Sequence, residues 1–203
     1  SPMVSTNKSE LILKGLLSIY SISHDFERQE LLTLSNEFQW RNIQRGDLLW
    51  AEGLDKDHLY FIVNGSCAEY LQHDGQESLI RFYHEGKFAF SEDILIYEVP
   101  SETRCVALTD AVIASCPKQV LLDDTLDKVV GAKLLSILIN FSMTEYRNTT
   151  YEMLQASGKS RLQAAISQSP NLLNIIPRKE LADYLGLSRA SLFRALKSFD
   201  HEE

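Results

Sequence analysis

Arg189 and Arg194 stand five residues apart in the stretch IPRKELADYLGLSRASLFRALKSF, Ile176 to Phe199, and Lys197 follows three residues later. A guanidinium is a planar fork of donors that can hold two acceptors at once, such as the oxygens of a phosphate or O6 and N7 of guanine. At helical spacing Arg189, Ala190, Phe193, Arg194 and Lys197 share one face. Leu192, Ala195, Leu196 and Phe199 share the opposite one. The chemistry on offer is binding: a cationic ridge for an anionic groove, backed by an apolar side that must rest on another element.

That element precedes it. Pro177 suits the first turn of a helix, where a missing N–H costs nothing. Leu181, Tyr184 and Leu185 give this helix an apolar side, Gly186 ends it in a left-handed cap, and Ser188 caps the next. Two helices about a tight turn, the second basic, predict a helix-turn-helix whose second helix enters the major groove of DNA. Arg189 and Arg194 are the expected base readers. Arg178 and Ser191 are expected on phosphates, which set register. Phe193 either packs on the preceding helix or meets a thymine methyl.

Charge supports a divided molecule. Between Gly158 and Phe199 lie seven basic and two acidic residues, whereas the whole chain has a formal net charge of −8. An acidic body with a cationic end points to a separate nucleic-acid-facing unit.

Upstream, SELILKGLLSIYSI and DFERQELLTLSNEF have apolar residues at helical spacing. From Trp40 to Cys116 short β-type runs (LYFIVNG, CAEYLQ, SLIRFY, CVALTDAVIASC) alternate with glycines, predicting an antiparallel sandwich or barrel. His73-Asp74-Gly75-Gln76 reads as a hairpin turn. After Pro117 the β signature stops, and a helix is predicted from Asp127 to Gln155, about 40 Å long at 1.5 Å per residue. Leu135, Ile139, Ser142, Tyr146, Thr149 and Met153 recur along it at gaps of four and three, the expected seam of a homodimer. The domains are thus expected at 1–117 (N-terminal helices and β-roll), 118–157 (linker and dimer helix) and 158–203 (helix-turn-helix).

In this order, LYFIVNGSCAEYLQHDGQESLIRFYHEGKF, a long helix and LADYLGLSRASLFRALKSF resemble the Crp/Fnr superfamily of bacterial transcription regulators. The resemblance runs from about Phe38 to Phe199. It implies an α+β chain: a jelly-roll of cyclic-nucleotide-binding type with flanking helices, a dimerisation helix and a winged helix-turn-helix. It also implies a homodimer on a palindromic operator in double-stranded DNA, with RNA polymerase as a further partner. Arg189 and Arg194 are then base contacts, and Ser188, Ala190 and Lys197 belong to the same DNA-binding surface. Ala190 stands where the nucleotide-responsive type member has a glutamate, implying a different half-site. The family's wing would follow the recognition helix, and it is missing from these residues.

Nucleotide-binding members carry Gly-Glu, about ten residues, then Arg and a small residue. The corresponding piece here is FSEDILIYEVPSETRCVALTD. Ser91 replaces the glycine, Glu92 remains, and the arginine position falls on Glu102 or Ser101, neither cationic. Arg104 would serve only across a longer loop. Ser91, Glu92, Ser101, Glu102 and Arg104 are therefore the candidate effector pocket, with control by cyclic AMP not expected. A regulator responding to a cyclic nucleotide or another small ligand in the roll is the alternative.

No cysteine precedes Cys67, as the family's oxygen sensors would require, and Cys105 is a candidate thiol switch. Three cysteines without a C-x-x-C pair suit a reducing cytoplasm. No apolar run reaches the ~20 residues of a membrane span. A cupin-like metalloenzyme, the remote alternative, would need converging His ligands such as His-x-His. That pair is missing, as are nucleophile–base and phosphate-loop motifs, so no catalytic residue, metal or cofactor is expected.

Overall fold

The computed structural model describes residues 2–17, 26–54, 57–122 and 128–200. Helices α1 (Pro2–Leu17) and α2 (Arg28–Asn36) open the chain. The end of the first predicted helix, through Ile22, lies outside the described residues, as does Asp127. A capping box starts α2, with the Glu27 N–H donating to Glu30 at 3.0 Å.

Eight strands follow: β1 (Gln39–Ile43), β2 (Leu48–Trp50), β3 (His58–Asn64), β4 (Cys67–His73), β5 (Gln76–Tyr83), β6 (Phe88–Ala89), β7 (Thr103–Ala107) and β8 (Ala111–Pro117). They form two antiparallel sheets, ordered β1–β8–β3–β6 and β2–β7–β4–β5. In β3, Leu59 and Phe61 meet the helices while Tyr60 and Ile62 face the second sheet. A strand buried on both faces loses the alternation expected of a half-exposed one. Asp74 and Gly75 turn β4 into β5 with φ of 47° and 74°, as an Asp-Gly hairpin allows. The run CVALTDAVIASC breaks into β7 and β8, which belong to different sheets. Side chains make that corner: Thr109 accepts from the Ser66 N–H at 3.1 Å and Asp110 from the Arg45 N–H at 3.0 Å.

Between β6 and β7 a π-helical turn spans Asp93–Tyr97. After the sheets come α3 (Lys118–Leu122), α4 (Lys128–Gln155), α5 (Gly158–Gln168), α6 (Leu172–Ile175), α7 (Arg178–Leu185) and α8 (Arg189–Asp200). Val130, Leu134, Ile137 and Leu138 anchor the start of α4 in the core beneath the first sheet. The C-terminal helices bury Leu162, Leu172, Leu181, Leu185 and Leu192 in one cluster with Ala68, Tyr70, Leu79 and Val106 of the second sheet. They therefore dock on the roll, and the Tyr70 hydroxyl donates to Glu180 at 2.8 Å across the joint. Arg161 binds both helix ends, donating to the Leu185 carbonyl of α7 and to the Ala156 carbonyl after α4, each at 2.9 Å.

The expected dimer seam divides along the length of α4. Leu135 packs against the core beneath the first sheet, Ser142 is 3 % exposed, and Tyr146, Thr149 and Met153 line a cleft facing the chain's own second sheet and C-terminal helices. Ile139 is half-buried. The start of the stripe thus rests on the chain's own core, whereas Tyr146, Thr149 and Met153 stay exposed at the cleft's rim. Met143 and Leu154, 65 % and 78 % exposed, lie on the adjoining side, about 100° round the helix, with Arg147 and Thr150.

Among the described residues no helix is long and apolar enough to cross a membrane. Nor do three or more His, Cys, Asp or Glu side chains gather there to hold a metal ion.

Candidate functional site

Two sites emerge: the outer face of α8, and the junction where α4 crosses the mouth of the roll. Gly186, at φ +65°, ends α7, a conformation that costs glycine least. The Ser188 hydroxyl accepts the Ser191 N–H at 3.1 Å and so starts α8. Leu192 and Ala195 are buried, whereas Arg189, Ala190, Phe193, Arg194 and Lys197 are exposed. The helix therefore presents the face expected from its spacing.

The members differ in detail. Ser188 and Ser191 spend their hydroxyls on each other at 2.9 Å, and Arg194 donates to Ser191 at 3.1 Å. Arg194 is thereby held against the helix stem, while Arg189 extends freely from the first turn. The Lys197 ammonium sits 4.6 Å from the Phe193 ring centroid, so this aromatic carries a positive charge on its face. Phe193 does not bury itself on α7; it is 58 % exposed. Arg178 is exposed near this end and donates to the Leu173 carbonyl at 3.1 Å.

At the junction only part of the predicted pocket assembles. Ser91 and Ser101 are buried and hydrogen-bonded to each other at 3.2 Å, and the Ser101 hydroxyl donates to the Thr103 carbonyl at 2.9 Å. Glu92 reaches α4, accepting from Ser142 at 3.3 Å and Tyr146 at 3.1 Å. Glu102 and Arg104 do not belong to the pocket. Glu102 is exposed. Arg104 points to the outer side of its sheet, donating to Glu77 at 2.5 and 2.6 Å with its guanidinium 4.8 Å from the Tyr70 ring. Strand alternation explains this: Cys105 points in, so Arg104 points out.

Sequence reasoning missed the residues that fill the junction. Arg81 of β5 sits with Nη2 3.0 Å from Glu92 Oε1, off the line of its N–H bonds, so this is an ion pair without a directed hydrogen bond. The Arg81 guanidinium also lies 4.4 Å from the Tyr146 ring centroid. Glu69 of β4 is 1 % exposed and accepts from Thr103 at 3.2 Å and Tyr83 at 3.4 Å. Trp50 donates to Thr103 at 3.0 Å and packs edge-on to Tyr83. The only signal was a charged residue in each of two strands at an inward position.

Burial pushes the Glu69 carboxyl up to about 8, repulsion by Glu92 adds to this, and Arg81, Thr103 and Tyr83 act against it. The folded state thus holds a proton that an unfolded glutamate loses near 4.5. Stability from this group is full below the unfolded value and is lost as pH rises through about 8. Glu69→Gln should therefore flatten the decline in denaturation midpoint over that window. Equal pH slopes in parent and variant would contradict this reading.

The thiol-switch expectation for Cys105 is corrected by its burial, which raises its thiol well above the ordinary range. A buried neutral thiol lacks the exposed thiolate such chemistry needs. Cys67 and Cys116 are buried as well.

The family model "Cyclic nucleotide-binding domain" matches residues 40–123. No curated protein matches the chain in sequence. Among solved structures, FixK2 from Bradyrhizobium japonicum is similar at TM-score 0.63 and 16 % identity, over 81 % of this chain and 85 % of that one. CLP, the c-di-GMP responsive global regulator from Xanthomonas campestris, is similar at TM-score 0.57 and 18 % identity, over 87 % and 93 %. The regulatory domain of Toxoplasma gondii PKA with cAMP gives TM-score 0.56 and 16 % identity, covering 68 % of this chain. The present chain spans about half of that protein's length, 51 %. At these identities the likeness is one of fold. Over residues 40–123, from Trp40 in β1 through α3, the chain is similar to the cyclic nucleotide-binding domain, and the antiparallel roll with flanking helices is the fold it shares with these structures.

Proposed function

We propose that the chain is a sequence-specific, DNA-binding transcriptional regulator that acts as a homodimer on a palindromic operator, without control by cyclic AMP. The observation that carries this is the exposed cationic face of α8, Arg189, Arg194 and Lys197, backed by buried Leu192 and Ala195. An enzyme surface has no need of such a ridge; the major groove does. The likeness to CLP, a global regulator that links cell-cell signaling to virulence gene expression, supports the same direction. Residues 1–117 form the effector body, 118–157 the connecting and dimer segment, and 158–203 the DNA-binding unit. The proposed dimer seam runs along the exposed half of α4, with Tyr146, Thr149 and Met153 of the expected stripe and Met143 and Leu154 on the adjoining side.

Independence from cyclic nucleotides follows from charge. A cyclic phosphate is held in this family of folds by a cation that the cassette itself presents. The cassette arginine position offers Ser101 or Glu102.

Anisotropy titration of labelled duplex DNA at rising salt tests both parts. Log affinity should fall linearly with log salt concentration as phosphate contacts release counterions. Cyclic AMP or cyclic GMP should leave the curves in place. Failure to bind any duplex at low salt would refute the DNA reading; a shift on adding either nucleotide would refute independence from cyclic nucleotides.

A further inference from the structure

A cavity of about 440 Å³ lies between β5, α4 and the C-terminal helices. Its lining includes Arg81, Ser142 and Tyr146 and the rings of Tyr83, Phe88 and Phe141. These three polar side chains already converge on one carboxylate, that of Glu92. The chain has built a carboxylate receptor, one guanidinium and two hydroxyl donors, and filled it from within.

We propose that this cavity binds a small monocarboxylate with an apolar body, its carboxylate taking the place of Glu92 on Arg81, Ser142 and Tyr146. The exchange conserves charge and hydrogen bonds: one carboxylate replaces another, and Glu92 is released to water. Geometry favours it, because Arg81 holds Glu92 without a directed hydrogen bond and its side chain is 18 % exposed. An incoming carboxylate that meets the guanidinium in its plane makes the fork contact that Glu92 forgoes. The apolar body then lies against Phe88 and Phe141. The receptor selects by shape and charge: Arg81, Ser142 and Tyr146 together hold one planar carboxylate, and a phosphate dianion would bring a second charge that Arg81 alone does not balance.

Glu92 is thus an internal competitor, and it lowers the apparent affinity of any ligand by the fraction of time it occupies the receptor. This makes the proposal testable on the full chain without DNA, so that failure here leaves the DNA reading untouched. Benzoate is titrated calorimetrically into parent, Glu92→Gln and Arg81→Gln, with methyl benzoate and inorganic phosphate as comparison ligands. The parent should bind benzoate and neither comparison ligand. Glu92→Gln should bind benzoate about tenfold more tightly, the factor that corresponds to ~1.4 kcal/mol of removed competition. Arg81→Gln should lose binding. Should Arg81→Gln fail to fold, the acid–ester contrast and the Glu92→Gln gain decide the matter. Absence of benzoate binding in both parent and Glu92→Gln overturns the proposal. So does equal binding of the ester, binding of phosphate as tight as that of benzoate, or unchanged benzoate affinity in Glu92→Gln or in a folded Arg81→Gln.

Discussion

Arg189→Ala and Arg194→Ala should each weaken binding to the preferred duplex by about 1–3 kcal/mol and relax base preference at one position of each half-site. Both guanidiniums leave the helix on its exposed face, and each bidentate contact to guanine discriminates against other bases by a comparable amount. Their situations differ in a way the experiment can see. Arg194 is braced by the Ser191 hydroxyl at 3.1 Å, which is itself bonded to Ser188. A braced side chain loses less rotamer entropy on binding. Lys197→Ala provides the contrast, because a lysine directed to phosphate weakens all sequences about equally and reduces the salt slope by about one. Competition titrations with single-base-changed duplexes measure all of this. Variants that keep the parent's affinity and selectivity would remove these arginines from the reading face.

Gly131→Ala should be among the most destabilising single substitutions in the chain. Gly131 lies in the first turn of α4, where the helix crosses α3. A Cβ there would fall 1.5 Å from the Leu121 carbonyl oxygen and 2.6 Å from its carbon. Backbone atoms cannot swing aside as a side chain can, so α4 must move. Movement would withdraw Val130, Leu134, Ile137 and Leu138 from the core beneath the first sheet. Overpacking costs typically ~1–3 kcal/mol and more where the neighbour is rigid, which places the expected loss at or above about 3 kcal/mol. In a chain of this size, that lowers the thermal midpoint by about 6–12 °C. Because α4 connects the roll to the C-terminal helices proposed to bind DNA, a partly folded variant should also lose duplex affinity. Thermal and denaturant unfolding measure the effect; a midpoint within ~1 °C of the parent would show that α3 and α4 do not cross this closely.

What could be read from the sequence was local. Asp74-Gly75 announced its turn because few dipeptides accept successive positive φ angles. The α8 face was legible because a 3.6-residue period separates Leu192 and Ala195 from Arg189, Phe193 and Lys197 without tertiary information. The α4 stripe was legible only as a stripe, for a related reason. Periodicity reveals a stripe, but not whether the chain's own sheet or another molecule covers it. Apolar residues lie on more than one side of this helix, with Met143 and Leu154 outward. The junction was hidden most completely. Glu69, Arg81, Glu92 and Tyr146 come from four different segments, and a register shift between Glu69 and Tyr70 changes the strand pairing at that point. The reading of the cassette identified the missing cation, yet not the arginine from β5 that Glu92 engages in its place.

Selection of bound duplexes from a random pool, using the full chain, tests the central claim most directly. Two copies of α8 joined through α4 should enrich an inverted repeat whose half-sites are centred about one helical turn, ~10 bp, apart. Recovery of no enriched sequence, or of a single asymmetric site bound by one protomer, would contradict a dimer that reads DNA with paired α8 helices.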